Sequence, residues 1–426
     1  MTDISTGLPA RSAALAILSG VLQKRRPLDA GLDQLAGLST RDAGFARALV
    51  SQTLRHMGAL DAVLRSFVGK PLVPHKAGAT SEILLLGACE LLILKVAAHA
   101  AVDAANQLAA MDFKAVHFKP LINAVLRKVA KDGEAVLSGL DRERLSTPDW
   151  LWTRWTSHYD SGTARVIARA HQREAPIDIV LKSADAAFPP SEALFGYARR
   201  LSDPGRIDEL PGFAQGDWWV QDCAATLPTL LLGDVRGKTV IDLCAAPGGK
   251  TMQLAAAGAN VIAVEIDPVR AERIRENLSR TKLNAEIAVA DARDFRTTAP
   301  FVPIDAPCTA TGTIRRHPDL PWIKGAADVT ISAGAAYEIL ESGASLVEPG
   351  GTLVFAVCSL EREEGEEQIA VFLSAHPEFS RAPVTAQDVF SRGEWITPEG
   401  DLRTLPCHFS EQGGMDGFFA ARLTRR

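Results

Sequence analysis

The first third of the chain carries apolar residues at helical spacing. Across residues 1–135 they recur three to four positions apart, the repeat of an amphipathic helix. Examples are Ala14-Leu15, Ile17-Leu18, Val21-Leu22, Leu60 and Val63-Leu64. The most apolar segment, residues 83–95, is interrupted by Glu90 and Lys95 and is too short to span a membrane, so we expect a core helix of a helical bundle.

Helix-breaking residues divide this region. Breaks are predicted at Arg26-Pro27, at residues 39–42 and at residues 69–74. Ser39 or Thr40 would cap a helix that begins near Asp42.

From Trp218 onward the pattern changes to short apolar runs separated by helical segments. Strands are predicted at Thr239–Leu243, Val261–Glu265, Glu286–Val289, Phe301–Asp305 and Thr352–Val357. Alternating strands and helices indicate a parallel, doubly wound α/β sheet. We therefore expect a multidomain protein: an all-α bundle (residues 1–138), a small α+β linker module (139–215) and a Rossmann-like α/β domain (216–426).

Charge is distributed unevenly over these parts. The net charge of the 426 residues is −5, but residues 1–131 hold 16 Lys and Arg against 9 Asp and Glu, a local charge of +7 that leaves −12 on the remainder. A basic platform joined to an acidic enzyme domain is consistent with a nucleic-acid partner. A bundle with a solvated basic face would have the same charge.

The six cysteines include no C-x-x-C pair, which argues against a disulfide framework and a structural zinc site. We expect a reducing, cytoplasmic location and no bound metal. Residues 1–5 lack the features of a signal peptide, and no membrane association is expected.

The polar residues of the α/β region follow the predicted strands, where ligands of such sheets bind. They are Cys244 to Lys250, Glu265, Asp291, Asp305 and Cys358. A glycine-bearing turn at Gly248-Gly249 and an acid at the end of the second strand suit an adenosyl ligand. The spacing is not G-x-G-x-x-G, so S-adenosylmethionine is favoured over NAD.

Two thiols belong to this set. Cys308 lies three residues after Asp305, and Cys358 ends the neighbouring strand, so both are expected at one pocket. A methyl donor beside two thiols and an acid suggests covalent catalysis on C5 of a pyrimidine. Lys250 would activate a thiol, and Asp305 would hydrogen-bond the base.

Two family resemblances extend this interpretation. Residues 83–91, 98–102 and 122–127 resemble the NusB-type RNA-binding helical bundle. The motifs at Cys244–Lys250, at Asp305–Gly312 and at Cys358-Ser359, the last followed by Glu363-Glu364-Gly365-Glu366, resemble the Sun/Nop2/Nsun family of RNA cytosine-C5 methyltransferases. By itself, the run from Glu361 to Glu367 predicts the acidic first turn of a helix.

The second resemblance implies roles for individual residues. Cys358 would be the nucleophile, and Cys308 would assist release of the methylated base. The implied contacts with the methyl donor are Cys244, Ala245, Ala246, Pro247, Gly248, Gly249, Lys250, Glu265, Asp291 and Asp305. The implied substrate is ribosomal RNA of the small (16S) subunit, bound by a monomer.

Candidate RNA contacts come from two places. Arg315, Arg316 and His317 adjoin the loop of Cys308, while Arg127 and Lys128 end the last helix of the bundle, where cations also complement the helix dipole.

Two departures from the family pattern keep alternatives open. Val357 replaces the usual threonine before the nucleophile, and Pro303 predicts a short fourth strand. The alternatives are a non-catalytic RNA-binding or ribosome-assembly factor and a DNA cytosine methyltransferase, in which Cys358 would have no role.

Overall fold

The computed structural model describes residues 7–69, 72, 74–202 and 204–426. Residues 1–6 lie outside the described range, and so does part of the predicted break at residues 69–74. The α-helices are α1 (Leu8–Lys24), α2 (Thr40–Arg55), α3 (Met57–Phe67), α4 (Pro74–Ala77), α5 (Thr80–Leu92), α6 (Ala98–Met111), α7 (Lys119–Ser138), α8 (Arg142–Leu145), α9 (Asp149–Tyr159), α10 (Ser161–His171), α11 (Cys223–Leu230), α12 (Gly249–Ala256), α13 (Pro268–Thr281), α14 (Leu320–Ile323), α15 (Ala326–Ser345) and α16 (Glu366–Ala375).

The strands follow the same chain order. They are β1 (Asp178–Leu181), β2 (Ser191–Ala193), β3 (Ala198–Leu201), β4 (Trp218–Val220), β5 (Thr239–Leu243), β6 (Asn260–Glu265), β7 (Glu286–Val289), β8 (Ala299–Asp305), β9 (Val347–Val357), β10 (Phe379–Arg381), β11 (Leu402–Thr404) and β12 (Phe418–Arg425).

The chain forms two compact units. The first comprises residues 1–173 together with residues 316–325, and the second comprises residues 174–315 and 326–426. The three-part division at residues 138 and 215 is a different partition of the same chain and stays a prediction.

Helices make up the first unit, as the apolar periodicity predicted. Ser39 caps α2 by accepting the Asp42 backbone N–H at 3.1 Å, which confirms the predicted cap. Helix α5 is buried along almost its whole length, and at Gly87 an added Cβ would lie 2.6 Å from Cδ1 of Leu126. Glycine at this position therefore lets α5 and α7 pack closely.

Residues 316–325 complete this helical unit although they follow β8 in the chain. The indole N–H of Trp322 donates to the Leu54 carbonyl at 3.0 Å, and the Asp319 carboxylate accepts the Leu28 N–H at 2.9 Å. The segment, which includes α14, is thus tied to α2 and to the end of α1 by specific hydrogen bonds.

The second unit begins with a small antiparallel sheet of order β2-β3-β1-β4. Asp178 on β1 and Arg200 on β3 form a buried ion pair in which the guanidinium Nε and the carboxylate Oδ1 are 2.7 Å apart.

The larger sheet has the order β10-β12-β9-β8-β5-β6-β7, with β11 paired to β12. Strands β5 to β9 are mutually parallel, as predicted, whereas β10, β11 and β12 are antiparallel additions. The sheet is therefore mixed, with its parallel part forming a Rossmann-like core.

Strand β8 corrects one prediction. Pro303 was expected to shorten it, but β8 runs from Ala299 to Asp305, and Pro303 pairs with Val354 in the ladder to β9. Each residue of a parallel ladder directs its N–H to one neighbour only, so a single missing donor does not end the strand. In the described part of the chain, no helix has the length and apolarity needed to cross a membrane.

Candidate active site

A cavity of about 360 Å³ lies beyond the carboxyl ends of β5 to β9 in the second unit. Its lining includes seven of the predicted site residues: Cys244, Ala246, Glu265, Asp291, Asp305, Cys308 and Cys358. Ala245, Pro247, Gly248, Gly249 and Lys250 belong to the same loop but are not part of the lining. The sequence therefore located the cavity, while the structure distinguishes the residues that face it from those that support it.

The loop between β5 and α12 has an unusual backbone. Cys244 and Gly248 have positive φ values of 61° and 103°. A side chain at Gly248 would approach Ile274 of α13, where an added Cβ would lie 3.3 Å from Cγ2. The loop therefore turns sharply into α12 at the carboxyl end of β5.

Asp242 supports this loop from inside the sheet. It is fully buried, and its Oδ2 accepts the Thr251 hydroxyl at 2.6 Å. Burial raises the pKa of this carboxyl to about 7, despite the opposing effects of the Thr251 hydrogen bond and the nearby Lys250 charge.

Glu265 and Asp291 end β6 and β7. The Glu265 carboxylate accepts the Ala246 N–H at 3.2 Å and the Asp267 N–H at 3.0 Å. Asp291 is held by Arg293, whose Nε lies 3.0 Å from Oδ1. Arg293 and Arg270, which the sequence argument did not single out, also line the cavity.

Lys250 and Asp305 form an ion pair behind the thiols. Lys250 Nζ lies 2.6 Å from Asp305 Oδ2, with the lysine side chain 9% exposed and the aspartate 31%. Burial alone would lower the pKa of Lys250, but the Asp305 carboxylate more than offsets this, so the pKa is raised. Lys250 therefore places a lasting positive charge at the ends of β5 and β8.

The two predicted thiols meet. The Sγ atoms of Cys308 and Cys358 are 3.5 Å apart. The pKa of Cys308 lies well above its ordinary value, because its hydrogen bond with Cys358 and its burial both disfavour the thiolate. The contact and the burial therefore both disfavour the thiolate form of Cys308.

Arg315 corrects the RNA-contact prediction made for it. Only 1% of its side chain is exposed, and its guanidinium donates to the Gly413 carbonyl at 2.6 Å and to Asp416 at 3.3 Å. Asp222 lies 3.6 Å away. Buried among these partners, Arg315 has a structural role and is not accessible to RNA.

The other predicted RNA contacts belong to the first unit. Arg316 and His317 are partly exposed, and His317 lies 3.7 Å from Asp29. Arg127 and Lys128 were predicted at the end of their helix, but α7 continues to Ser138, so they lie near its middle and not at its dipole end. Both are exposed, and Arg127 lines a separate cleft of about 630 Å³ between α6 and α7. These four assignments stay predictions.

The sequence places Glu364 in an acidic run typical of a helix start and in a family motif, but it does not predict a role for this residue in the site. This residue is fully buried, and its carboxylate accepts the Thr309 backbone N–H at 2.7 Å. The partners come from distant parts of the chain, so no local pattern identifies the contact.

The cavity fits S-adenosylmethionine. Each carboxylate offers about four acceptor positions, so Glu265 keeps capacity for ribose hydroxyls after binding two backbone N–H groups. Val264, Ile266 and Ile339 supply apolar surface for an adenine ring. Asp305 adds negative charge next to the thiols, where the positively charged sulfonium group of the donor would lie.

Comparisons with known proteins agree with this geometry. The profile described as 16S rRNA methyltransferase RsmB/F matches residues 229–424, and that of the NusB family matches residues 8–131. The ribosomal RNA small subunit methyltransferase B of Sodalis glossinidius is 35% identical over 97% of both chains, and that of Pseudomonas putida is 34% identical over 98% of both.

A solved structure shares the fold. The crystal structure of PH0851 superimposes with a TM-score of 0.73 at 22% identity, covering 97% of this chain and 98% of that one. Because both curated relatives exceed 30% identity over nearly their whole length, the chain belongs to the RsmB/F family of 16S rRNA methyltransferases.

Proposed function

We propose that the protein methylates C5 of a cytosine in the RNA of the small ribosomal subunit and uses S-adenosylmethionine as the donor. The observation that carries the proposal is the pair of sulfurs 3.5 Å apart at a cavity suited to that donor. Two thiols this close allow one to bond the base while the other acts on the same ring.

Cytosine C5 is not nucleophilic by itself. Addition of the Cys358 thiolate to C6 makes C5 electron-rich, and Asp305 hydrogen-bonds the base as electrons move into its ring. Lys250 supplies the positive charge that favours the thiolate. S-adenosylmethionine, when bound, supplies an electrophilic methyl group.

Release requires the reverse electron flow. Once C5 carries its methyl group, loss of the C5 proton restores the double bond and expels the Cys358 thiolate. A base has to take up the C5 proton in this step. Cys308 lies beside Cys358, with the two sulfurs 3.5 Å apart, so its thiol can hydrogen-bond the departing Cys358 thiolate and assist release.

The target base has to leave its stack to reach a thiol in a cavity. We therefore infer that the enzyme engages a single-stranded or flexible site, or flips the base out. Arg127, Lys128, Arg316 and His317 are the proposed RNA contacts.

The two sequence departures do not favour a non-catalytic protein. Val357 is a buried member of β9 and pairs with Phe419, while Pro303 lies within an uninterrupted β8. Both thiols and the Lys250–Asp305 pair are in place. A DNA methyltransferase that attacks through the Pro-Cys thiol would leave Cys358 without a role.

The test is a trap for the covalent intermediate. Cys308→Ala protein, incubated with 16S RNA and S-adenosylmethionine, should accumulate a protein–RNA adduct that survives denaturing electrophoresis. Cys358→Ala should form none. Cys407→Ala, which removes a thiol outside the cavity lining, is the matched control and should behave as wild type.

Two results would overturn the proposal. An adduct with Cys358→Ala but not with Cys308→Ala would exchange the roles of the thiols. Failure of wild type to methylate either free 16S RNA or small-subunit particles would support the non-catalytic alternative.

We further propose that the protein acts in the cytoplasm as a monomer, with ribosomal RNA as its partner and without metal or membrane. Light scattering coupled to size exclusion should give the mass of one 45.6 kDa chain. A mass of two chains would contradict this.

A further inference from the structure

A buried carboxylate joins the two thiol-bearing segments. Glu364 is fully buried, between the residue that follows Cys308 and the residue that follows Cys358. Its Oε1 accepts the Thr309 backbone N–H at 2.7 Å, and its Oε2 accepts the Thr309 hydroxyl at 2.6 Å. The same Oε2 accepts the hydroxyl of Ser359. One side chain therefore holds both segments directly next to their sulfurs.

Further bonds surround this contact and use other atoms of the same segments. The Gly312 N–H donates to the Cys358 carbonyl at 3.0 Å, and the Leu360 N–H donates to the Thr311 hydroxyl at 2.9 Å. These bonds align the backbones of the two segments. Glu364 adds a rigid carboxylate that bonds both hydroxyls at once.

The arrangement is costly for stability. No ion pair of Glu364 is found within the described ranges, and burial raises the pKa of its carboxyl despite the bonds from Ser359 and Thr309. A buried carboxylate whose only support is hydrogen bonding carries a desolvation penalty that an apolar side chain would avoid. Because the buried Glu364 carboxylate lowers stability, we look for its role in positioning the two thiol-bearing segments.

We propose that Glu364 is a positioning residue that fixes the separation of the Cys308 and Cys358 sulfurs. The assignment rests on the proposed function, in which both thiols act on one pyrimidine ring. Without the carboxylate, the segments after β8 and β9 keep their backbone bonds but lose the side-chain contact next to the sulfurs, so the distance between the sulfurs is held less tightly.

A reagent that binds two thiols at once tests whether the two sulfurs are held close together, and this test does not depend on methylation. Phenylarsine oxide forms two As–S bonds with a pair of close thiols, takes up both thiol protons and releases one water molecule. Wild type should bind it tightly, and Cys308→Ala and Cys358→Ala define the single-thiol background. Glu364→Ala should bind about 10-fold more weakly than wild type, because the two sulfurs are no longer held for chelation.

Matched variants separate placement from a general loss of structure. Glu367→Ala, an exposed acid in the first turn of α16, should bind the arsenical as wild type does. Glu364→Gln keeps the length of the side chain and most of its bonds, so its affinity should be intermediate. If Glu364→Ala fails to fold, Thr309→Val takes its place in the test. This change removes the hydrogen bond from the Thr309 hydroxyl to the carboxylate, so Thr309→Val should bind phenylarsine oxide more weakly than Thr309→Ser does.

Methylation kinetics give the second readout. Glu364→Ala should lower kcat about 10- to 100-fold with an unchanged KM for S-adenosylmethionine, since a misplaced reacting group slows chemistry more than donor binding. Glu364→Gln should recover part of the rate. Arsenical affinity and kcat equal to wild type in folded Glu364→Ala would overturn the proposal. A wild type that binds the arsenical but never methylates would contradict the proposed function and leave the positioning role standing.

Discussion

The two sides of the cavity are built differently. We call residues 244–250 with Glu265 and Asp291 the donor edge, and residues 305–313 with 358–364 the thiol edge. At the donor edge, Glu265 bonds the N–H of Asp267 and Asp291 bonds Arg293, each two residues away, and Glu265 also accepts the Ala246 N–H from the preceding loop. At the thiol edge, bonded partners lie about fifty residues apart in the chain.

This difference gives the two edges separate roles: the donor edge binds the methyl donor, and the thiol edge positions the reacting thiols. The donor edge uses short local motifs that leave acceptor capacity for a diffusible ligand. The thiol edge bonds its polar groups to one another, which is how a catalytic constellation is held before substrate arrives. Changes at the donor edge should therefore alter affinity, and changes at the thiol edge should alter rate.

Lys250 connects the two edges, so its loss should have the largest effect. Lys250→Met leaves Asp305 without its counter-charge and removes a positive charge that interacts with Cys358, and kcat should fall about 10³-fold. The alkylation rate of Cys358 by iodoacetamide should fall in parallel. Lys238→Met, at an exposed position, serves as the control. Unchanged alkylation would show that Lys250 does not activate the thiol.

The pH dependence of stability tests whether the Asp242 carboxyl, which supports the donor edge, is protonated in the folded protein. Its folded pKa of about 7 exceeds the unfolded value of about 4, so the native state binds the additional proton between these limits. The free energy of unfolding should therefore decrease as pH rises from about 4 to about 7, by on the order of 4 kcal/mol, and then level off.

Urea unfolding of wild type and Asp242→Asn across this pH range is the measurement. The variant cannot ionise, so its stability relative to wild type should increase with pH. Asp208→Asn, an exposed position, should track wild type. Parallel curves for Asp242→Asn and wild type would mean that Asp242 is ionised throughout.

Glu265→Gln should weaken donor binding without affecting the thiols. The amide loses the charge and one strong acceptor, so the dissociation constant for S-adenosylmethionine should rise about 10- to 30-fold. Isothermal titration gives this value, and phenylarsine oxide affinity should stay that of wild type. Glu272→Gln on the exposed side of α13 is the control. A loss of arsenical affinity would contradict the separation of the two edges.

Thr311→Val should have the smallest effect. It removes the buried hydroxyl that accepts the Leu360 N–H at 2.9 Å, so the free energy of unfolding should fall by about 1–2 kcal/mol. Thermal unfolding measures the change, and Thr311→Ser, which keeps the hydroxyl, should recover most of it. Equal losses in both variants would point to side-chain packing as the cause.

The donor edge was largely predictable from the sequence because its signals are local. Each acid follows an apolar run, and the glycine-bearing turn adjoins the first strand of the parallel core. The five parallel strands were found for the same reason.

The bonding at the thiol edge could not be read from the sequence. Both sulfurs were predicted from strand ends, but Glu364 lies in a run of acids that is typical of a helix start, and only the fold shows that it is buried. Arg315 was misread because its carboxylate partners, Asp222 and Asp416, are distant in the chain. The Pro303 prediction failed because one missing donor was taken to end a strand that pairs on both sides.

Residues 316–325 have a consequence for the order in which the protein is made. The helical unit needs Trp322 and Asp319 for its bonds to Leu54 and Leu28, yet these residues are synthesised after β8. The ribosome synthesises most strands of the parallel sheet before it synthesises residues 316–325, which complete the first unit. The nascent helices cannot reach their final packing until residue 325 has left the exit tunnel, and a fragment that stops at residue 173 lacks that piece permanently.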